Sequence, residues 1–82
     1  MYEIILSDKA KKQLKKLQKS VGKRITNSLE RLRIRPHSHI KKLVNSPYFS
    51  FRVGDHRIIL RVNKGKLIIV VINIGPREKV YN

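Results

Sequence analysis

Apolar and polar residues alternate along two neighbouring runs of the chain, on either side of a Gly54-Asp55 dipeptide. Strict alternation is typical of a β-strand with one buried face, and a Gly-Asp pair between two such runs predicts a tight hairpin loop. A two-residue loop sets the register of the hairpin, so that Val53 faces His56 and Arg52 faces Arg57.

The predicted hairpin has two unlike faces. One carries Phe49, Phe51, Val53, Ile58, Leu60 and Val62, and the other carries Tyr48, Ser50, Arg52, Arg57 and Arg61, with Ile59 as its aliphatic residue. The first face requires a cover from other elements. Because Arg52 and Arg57 repel each other directly across the strands, the second face predicts an anionic ligand.

The first half of the chain predicts a strand and two antiparallel helices that form this cover. The run Tyr2–Leu6 has strand character and ends at Ser7-Asp8, a helix-start signal. Apolar residues then recur at helical spacing in two series: Ala10, Leu14, Leu17 and Val21, followed by Val21, Ile25, Leu29 and Leu32. We expect the first helix to end near Leu17, Ser20 to cap the second, and Pro36 to end it.

Two further segments complete the predicted fold. Residues 36–47 predict a connector that is a loop or a short extended segment. The run Leu67–Ile74 is apolar at nearly every position, which predicts an interior strand with both faces covered. Its register stays open, because a Lys64-Gly65 loop pairs Leu67 with Val62 and a loop of residues 63–65 shifts that pairing.

The predicted fold class is α+β. It has an N-terminal strand, two antiparallel helices and a three-stranded antiparallel meander, with the helices packed on one sheet face. The chain has 82 residues, which predicts a single domain over residues 1–82.

The charge of the chain points to an anionic partner. Lys and Arg number 20 against five acidic residues, for a formal net charge of +15. A field of that sign attracts polyanions, so nucleic acid, the ribosome or an acidic protein is the expected partner. A lysine-rich solvated surface is the alternative that a charge run alone leaves open.

The residue inventory excludes several classes of site and location. The chain has no cysteine, which excludes disulfides and fits a reducing compartment. The pair His37 and His39 offers too few ligands for a metal site, and no nucleotide-cofactor motif is present. The longest apolar run, Leu67–Ile72, is far shorter than a membrane span, and Met1 leads into a strand pattern rather than a signal peptide. A cytoplasmic protein is expected.

The arginines carry the candidate chemistry. Arg52, Arg57 and Arg61 share one hairpin face, and Arg77 follows the third strand. Guanidinium groups bind phosphate oxygens bidentately and stay charged, which suits the phosphorane formed when a ribose 2′-hydroxyl attacks the adjacent phosphate. Binding of a nucleic-acid backbone without catalysis is the plainer interpretation of the same residues.

Two motifs in this order resemble the RelE/ParE toxin superfamily, and the likeness covers the whole chain. They are Arg52-Val53-Gly54-Asp55-His56-Arg57, in which His56 replaces the usual aromatic residue, and Gly75-Pro76-Arg77 running to Tyr81. The resemblance implies a toxin of a type II toxin–antitoxin system. RelE-type members cleave messenger RNA in the ribosomal decoding site and are neutralised by a small antitoxin, whereas ParE-type members inhibit DNA gyrase.

The resemblance also implies roles for individual residues. The catalytic residues would be Arg52, Arg57, Arg77 and Tyr81. Arg57 and Arg77 would stabilise the phosphate during cleavage, Arg52 would be a basic residue on the strand before the turn, and Tyr81 would stack on a base of the message. Ser50 stands where RelE-type nucleases have a further basic residue. Contacts to the message or to ribosomal RNA are expected from Ser50, Arg61, Lys11, Lys15, Lys16, Lys41, Lys42 and Lys79. Neither Arg57 nor Arg77 is expected in the core.

The expected function is a ribosome-dependent endoribonuclease that needs no metal or cofactor and is held inactive by an acidic antitoxin. A gyrase inhibitor of the same fold is one alternative, and a non-enzymatic RNA-binding protein, favoured by the uncharged Ser50, is another. Arginine stays protonated at physiological pH and is a poor base, so the general base is left unassigned.

Overall fold

The computed structural model describes residues 1–76, which form two α-helices and five β-strands. In chain order these are β1 (Glu3–Leu6), α1 (Asp8–Lys16), α2 (Lys19–Leu32), β2 (Ile40–Lys42), β3 (Phe49–Val53), β4 (His56–Asn63) and β5 (Ile68–Pro76), with a 3-10 helix at Pro36–Ser38. The strands form one sheet in the order β1-β5-β4-β3-β2, where β1 and β5 are parallel and the other neighbours antiparallel. The predicted α+β class is confirmed, with β2 as a fifth strand inside the connector.

Ser7 begins α1 as predicted and also ties the helix to the sheet. Its Oγ accepts a hydrogen bond from the backbone N–H of Ala10 at 3.1 Å. The same hydroxyl donates to the carbonyl of Ile72 at 3.1 Å. A single side chain therefore satisfies one free N–H of the first helical turn and one carbonyl of β5.

The prediction that Ser20 caps α2 is wrong. The helix begins earlier, at Lys19, after Gln18, whose side chain makes no capping hydrogen bond. The link between the helices consists of Leu17 and Gln18 alone, so α2 starts where the chain has turned rather than at the best capping residue. Within residues 1–76, neither helix is long and apolar enough to cross a membrane.

The β3–β4 hairpin has the predicted register. Val53 pairs with His56 and Arg52 with Arg57, and the pairing continues to the start of β3. Gly54 has a φ of +58°, a conformation that glycine adopts without a steric penalty from Cβ. This glycine allows a two-residue loop to reverse the chain, which fixes the register.

Both registers considered for β4 and β5 are wrong. Asn63 pairs with Ile68, so the strands are joined by a longer loop, residues 64–67. Leu67 belongs to this loop rather than to β5, with a φ of +56° and 45% of its surface exposed. Oδ1 of Asn63 accepts a hydrogen bond from the N–H of Lys66 at 3.0 Å, which stabilises the loop at this length.

The core lies between the helices and one face of the sheet, here called the covered face. Its buried residues are Ala10, Ile25, Leu29, Leu32, Phe51, Val53, Ile58, Leu60, Ile69, Val71 and Ile74. Helix α1 packs on β5 and β1, and α2 packs on β3. The interior position of β5 is confirmed, but Ile68 and Val70 on its other side are only half-buried among residues 1–76, against the prediction that both faces are covered.

A bulge in β5 changes how α1 meets the sheet. The pairing of β4 with β5 shifts after Ile59, which leaves Ile72 as an extra residue. Gln13 of α1 bonds to the strand just past this bulge. Its Oε1 accepts a hydrogen bond from the backbone N–H of Ile74 at 2.6 Å, and its Nε2 donates to Oδ1 of Asn73 at 2.6 Å.

Candidate nucleic-acid interface

The sheet face turned away from the helices, here called the open face, holds the strand residues of the predicted site. Register and alternation place there Lys41 from β2, Ser50 and Arg52 from β3, and Arg57 and Arg61 from β4. Ser50 lies between Lys41 on one side and Ile59 on the other. The fold thus brings onto one surface basic groups that are as far apart in sequence as Lys41 and Arg61.

Arg57 is the most enclosed of these residues. It is 8% exposed, and its Nε and Nη1 atoms are inaccessible to solvent. The residue directly opposite on β5 is Gly75, which has no side chain to compete for the space. Arg57 therefore lies outside the core, as expected, but it is buried on the open face rather than exposed. A buried guanidinium remains charged, and the low local dielectric strengthens its attraction for any anion that reaches it.

Arg52 stands opposite Arg57 but has different surroundings. It is exposed, and its Nε donates a hydrogen bond to the carbonyl of Gly54 at 3.3 Å. It also lines a cleft together with Arg24 and Arg31 of α2. The difference arises because β2 does not extend as far as Arg52, which leaves this end of β3 at the edge of the sheet.

The structure divides the predicted lysine contacts between two sides of the molecule. Three of the predicted lysines are exposed on α1, which packs on the covered face: Lys11, Lys15 and Lys16. Lys42 pairs with Phe49 and belongs by alternation to the covered-face side, whereas Lys41 pairs with Ser50 on the open face. Of the lysines predicted within residues 1–76, only Lys41 shares a face with Arg57.

Three predicted residues, Arg77, Lys79 and Tyr81, lie outside the described residues. Strand β5 is described as far as Pro76, which pairs with His56 at the turn end of the hairpin. Arg77 is the next residue in the chain. The roles of all three residues stay predictions.

Few carboxylates balance the basic side chains. Within residues 1–76 the single ion pair joins Arg33 and Glu30 at 2.8 Å on the exposed surface of α2. The same part of the chain has no group of three His, Cys, Asp or Glu side chains that could hold a metal ion. The resulting positive field suits a polyanion.

The open face can stabilise negative charge. Guanidinium, ammonium and hydroxyl groups all donate hydrogen bonds to phosphate oxygens. His56 pairs with Val53 and falls by alternation on the covered-face side, so no imidazole occupies an open-face strand position within residues 1–76. The groups described there can donate hydrogen bonds to a phosphate but are not suited to accept a proton.

Sequence reasoning missed the arginines of α2. Arg24 and Arg31 lie seven residues apart, which places them on the same side of the helix after about two turns. Ser28, between them, is 7% exposed, and His39 lines the same cleft. The helical spacing is a usable signal, but the hairpin end that completes the cleft is distant in sequence and gives no local indication of it.

Comparison with known proteins gives a family match over almost the whole chain. Residues 4–81 match the family described as the ParE toxin of type II toxin–antitoxin systems, parDE. No curated protein matches the chain.

Solved structures of RelE–RelB complexes have the same fold. The RelBE2 toxin–antitoxin complex of Mycobacterium tuberculosis is 22% identical with a TM-score of 0.86, and the match covers 93% of this chain and 98% of that chain. The intact RelBE complex of E. coli is 21% identical with a TM-score of 0.82, covering 96% and 100%. The archaeal RelE–RelB complex of Pyrococcus horikoshii OT3 is 24% identical with a TM-score of 0.82, covering 95% and 97%. At these identities the likeness concerns the fold.

Proposed function

The chain belongs to the ParE toxin family of type II toxin–antitoxin systems, within the RelE/ParE superfamily, and we propose that this toxin is a ribosome-dependent endoribonuclease that cleaves messenger RNA. The observation that carries the proposal is the direct opposition of Arg52 and Arg57 on the open face of the sheet. Two cations held in register across a hairpin repel each other unless an anion lies between or beside them.

The proposed reaction is attack of a ribose 2′-oxygen on the adjacent phosphorus, with release of the 5′-oxygen of the next nucleotide. Negative charge builds on the phosphate oxygens as the new bond forms. Arg57 is enclosed and stays charged, so it presents a fixed positive charge that needs little reorganisation to stabilise the charge on the phosphate. Arg52 binds the same or the neighbouring phosphate from the edge of the sheet, with Arg77 as the predicted third arginine.

We infer dependence on the ribosome because the part of the open face formed by residues 1–76 offers no good base. A weak base suffices only when the 2′-oxygen is already held in line with the phosphorus. Orientation of this kind is worth about 7–11 kcal/mol. The decoding site grips the message on both sides and is the proposed source of that orientation, with Tyr81 stacking on a base.

The test compares single-turnover cleavage of one message alone and in a programmed ribosome. We expect cleavage mainly in the ribosome, and the Arg77→Ala protein serves as the control for contaminating nuclease. Equal rates in the two settings would overturn the ribosome-dependent mechanism. If the Arg77→Ala protein still cleaves the message, the proposed site is not responsible for cleavage.

The proposed partner that silences the toxin is an acidic, partly disordered antitoxin. RelE-type relatives are solved as complexes with RelB. A net charge of +15 favours a partner of opposite sign, which associates quickly and folds along the basic surface. Exposed lysines on α1 are then available for ribosomal RNA, as counterion-releasing contacts rather than chemistry.

Inhibition of DNA gyrase is the second candidate, because the matching family is described as the ParE toxin. Expression from a tightly controlled promoter, with protein synthesis and DNA synthesis followed separately, distinguishes the two. Prompt loss of translation supports the nuclease, and loss of replication with broken DNA supports the gyrase inhibitor. No effect on either supports a non-enzymatic RNA-binding protein, the alternative that Ser50 favours.

A further inference from the structure

A cleft of about 310 Å³ lies between α2 and the turn end of β3. Its walls are formed by Arg24, Ser28 and Arg31 on the helix and by Phe51, Arg52 and Val53 on the strand. We call it the α2 cleft. Its volume is near the lower end of the range of about 300–1,000 Å³ for small-ligand sites, which suits one nucleotide unit rather than a large ligand.

Fixed contacts bring the arginines of the α2 cleft together. Nη1 of Arg24 lies 3.3 Å from the position that a Cβ at Gly54 would occupy. Nε of Arg52 donates to the carbonyl of the same Gly54 at 3.3 Å. Nη2 of Arg31 donates to the buried Oγ of Ser28 at 3.2 Å. Because Gly54 has no side chain, guanidinium groups from two separate elements approach the same turn.

Among residues 1–76, no carboxylate lines the α2 cleft. Glu30 is on the same helix, but its carboxylate pairs with Arg33 at 2.8 Å. Asp55 follows Gly54 in the turn and is exposed, and it forms no ion pair within residues 1–76. The positive charge of Arg24, Arg31 and Arg52 is therefore not neutralised by these carboxylates. The mutual repulsion of the three guanidinium groups favours an anionic ligand.

The apolar wall of the cleft exists because β2 is short. Strand β2 begins with Ile40 opposite Phe51, so Val53 has no strand neighbour on that side. Phe51 and Val53 are core residues, 8% and 6% exposed, and their exposed edges line the cleft. A ligand with an apolar body beside its charged group, such as a ribose or a base next to a phosphate, matches this surface.

We propose that the α2 cleft binds a phosphodiester group of single-stranded RNA, as an anchoring site outside the open face. A phosphodiester has two charged oxygens, each of which can accept hydrogen bonds from more than one of the cleft's guanidinium groups, and His39 lies beside them. Unlike a side-chain carboxylate, it also carries a sugar and a base that match the apolar wall formed by Phe51 and Val53. Arg52 lies at the junction of the cleft with the open face, so a strand anchored in the cleft continues towards Arg57. The proposal concerns binding and does not depend on cleavage.

The experiment measures binding of a fluorescent 2′-O-methylated oligouridine, which cannot be cleaved through its 2′-oxygen, by anisotropy in the absence of ribosomes. The cleft variant is Arg24→Gln with Arg31→Gln. The matched control is Lys64→Gln with Lys66→Gln, which removes the same charge from the exposed loop between β4 and β5. Arg52 is left unchanged because it belongs to the proposed cleavage site.

We expect the cleft variant to lose at least about tenfold more affinity than the control, because it loses hydrogen bonds to a charged group. Its slope of log affinity against log salt should fall by about 0.7 for each phosphate that the variant no longer neutralises. Circular dichroism checks that both variants are folded, and both arginines are exposed. Chemical shifts of the arginine Nε–H groups, titrated with inorganic phosphate, give a second readout in the unmodified protein, and we expect saturable shifts at Arg24 and Arg31.

Equal loss of affinity in the two variants, or absence of saturable Nε–H shifts, would overturn the proposal. Two further probes, a DNA duplex and a glutamate-rich peptide, distinguish the sources of the anion. If the two variants differ in affinity for the duplex or the peptide but not for the oligouridine, the α2 cleft is not an RNA site. Binding and cleavage are read separately, so a toxin that proves inactive on ribosomes leaves this result unaffected.

Discussion

Arg52 and Arg57 stand directly opposite each other on β3 and β4, yet Arg52 is exposed and Arg57 is 8% exposed. We expect Arg57→Ala to lower the free energy of unfolding by about 1–3 kcal/mol, because the substitution removes a buried side chain and the packing of its stem. Arg52→Ala should change it by no more than about 0.5 kcal/mol. Urea unfolding measures both, and equal midpoints for the two variants would contradict the burial of Arg57.

Loss of toxicity in Arg57→Ala could therefore result from lower stability as well as from slower cleavage. Arg57→Lys is the better probe of cleavage. Lysine keeps the charge and much of the stem but lacks the planar fork. We expect single-turnover cleavage in programmed ribosomes to fall by about two to three decades, the effect of losing a donor to developing charge. Lys66→Ala, in the exposed loop, should cleave at the normal rate. Normal cleavage by the Arg57→Lys protein would exclude a role for the guanidinium.

Gln13 should stabilise the fold through the bulge of β5. Replacing it by Ala leaves the N–H of Ile74 without its acceptor, at a cost of about 1–3 kcal/mol in the free energy of unfolding. Gln13→Glu keeps an oxygen for that N–H and should cost less. Amide exchange at Ile74 should accelerate in the Ala variant and stay closer to normal in the Glu variant. The same exchange rate in both would show that this hydrogen bond does not protect the strand.

Leu67 occupies a backbone conformation that disfavours its own side chain. Its φ is +56°, and the left-handed region costs a residue with a Cβ about 1–2 kcal/mol. Leu67→Gly should raise the free energy of unfolding by up to about 1 kcal/mol, after allowance for the greater flexibility of glycine in the unfolded chain. Leu67→Ala retains the Cβ and should give no gain. A thermal midpoint that rises equally in both variants would point to removal of the exposed apolar side chain instead.

The antitoxin should be acidic and should bind through the open face. Association of the purified pair should slow steeply as salt is raised, because exposed charges more than about 10 Å apart are screened at 0.1 M. Arg61→Glu, on the open face, should lower the association rate constant more than Lys66→Glu, which makes the same change of charge in the loop. A basic copurifying partner would count against this proposal, as would equal effects of the two variants.

Local chemistry in the sequence accounts for the parts of the fold that depend on neighbouring residues. Ser7 caps α1 because a hydroxyl before a helix reaches the free N–H groups of the first turn. The β3–β4 register follows from the Gly54 turn, since a two-residue loop permits a single pairing. Alternation then assigns Arg52, Arg57 and Arg61 to one face of the sheet without knowledge of any other element.

Tertiary structure determines how far each of those arginines is buried. Burial of Arg57 depends on Gly75, a residue of another strand, and exposure of Arg52 depends on where β2 stops. The α2 cleft needs Arg24 and Arg31 to meet Gly54 across more than twenty residues of chain. Alternation and helical spacing report which side of its own element a residue occupies. They carry no information on which distant element arrives there, because that is set by the packing of helices on the sheet as a whole.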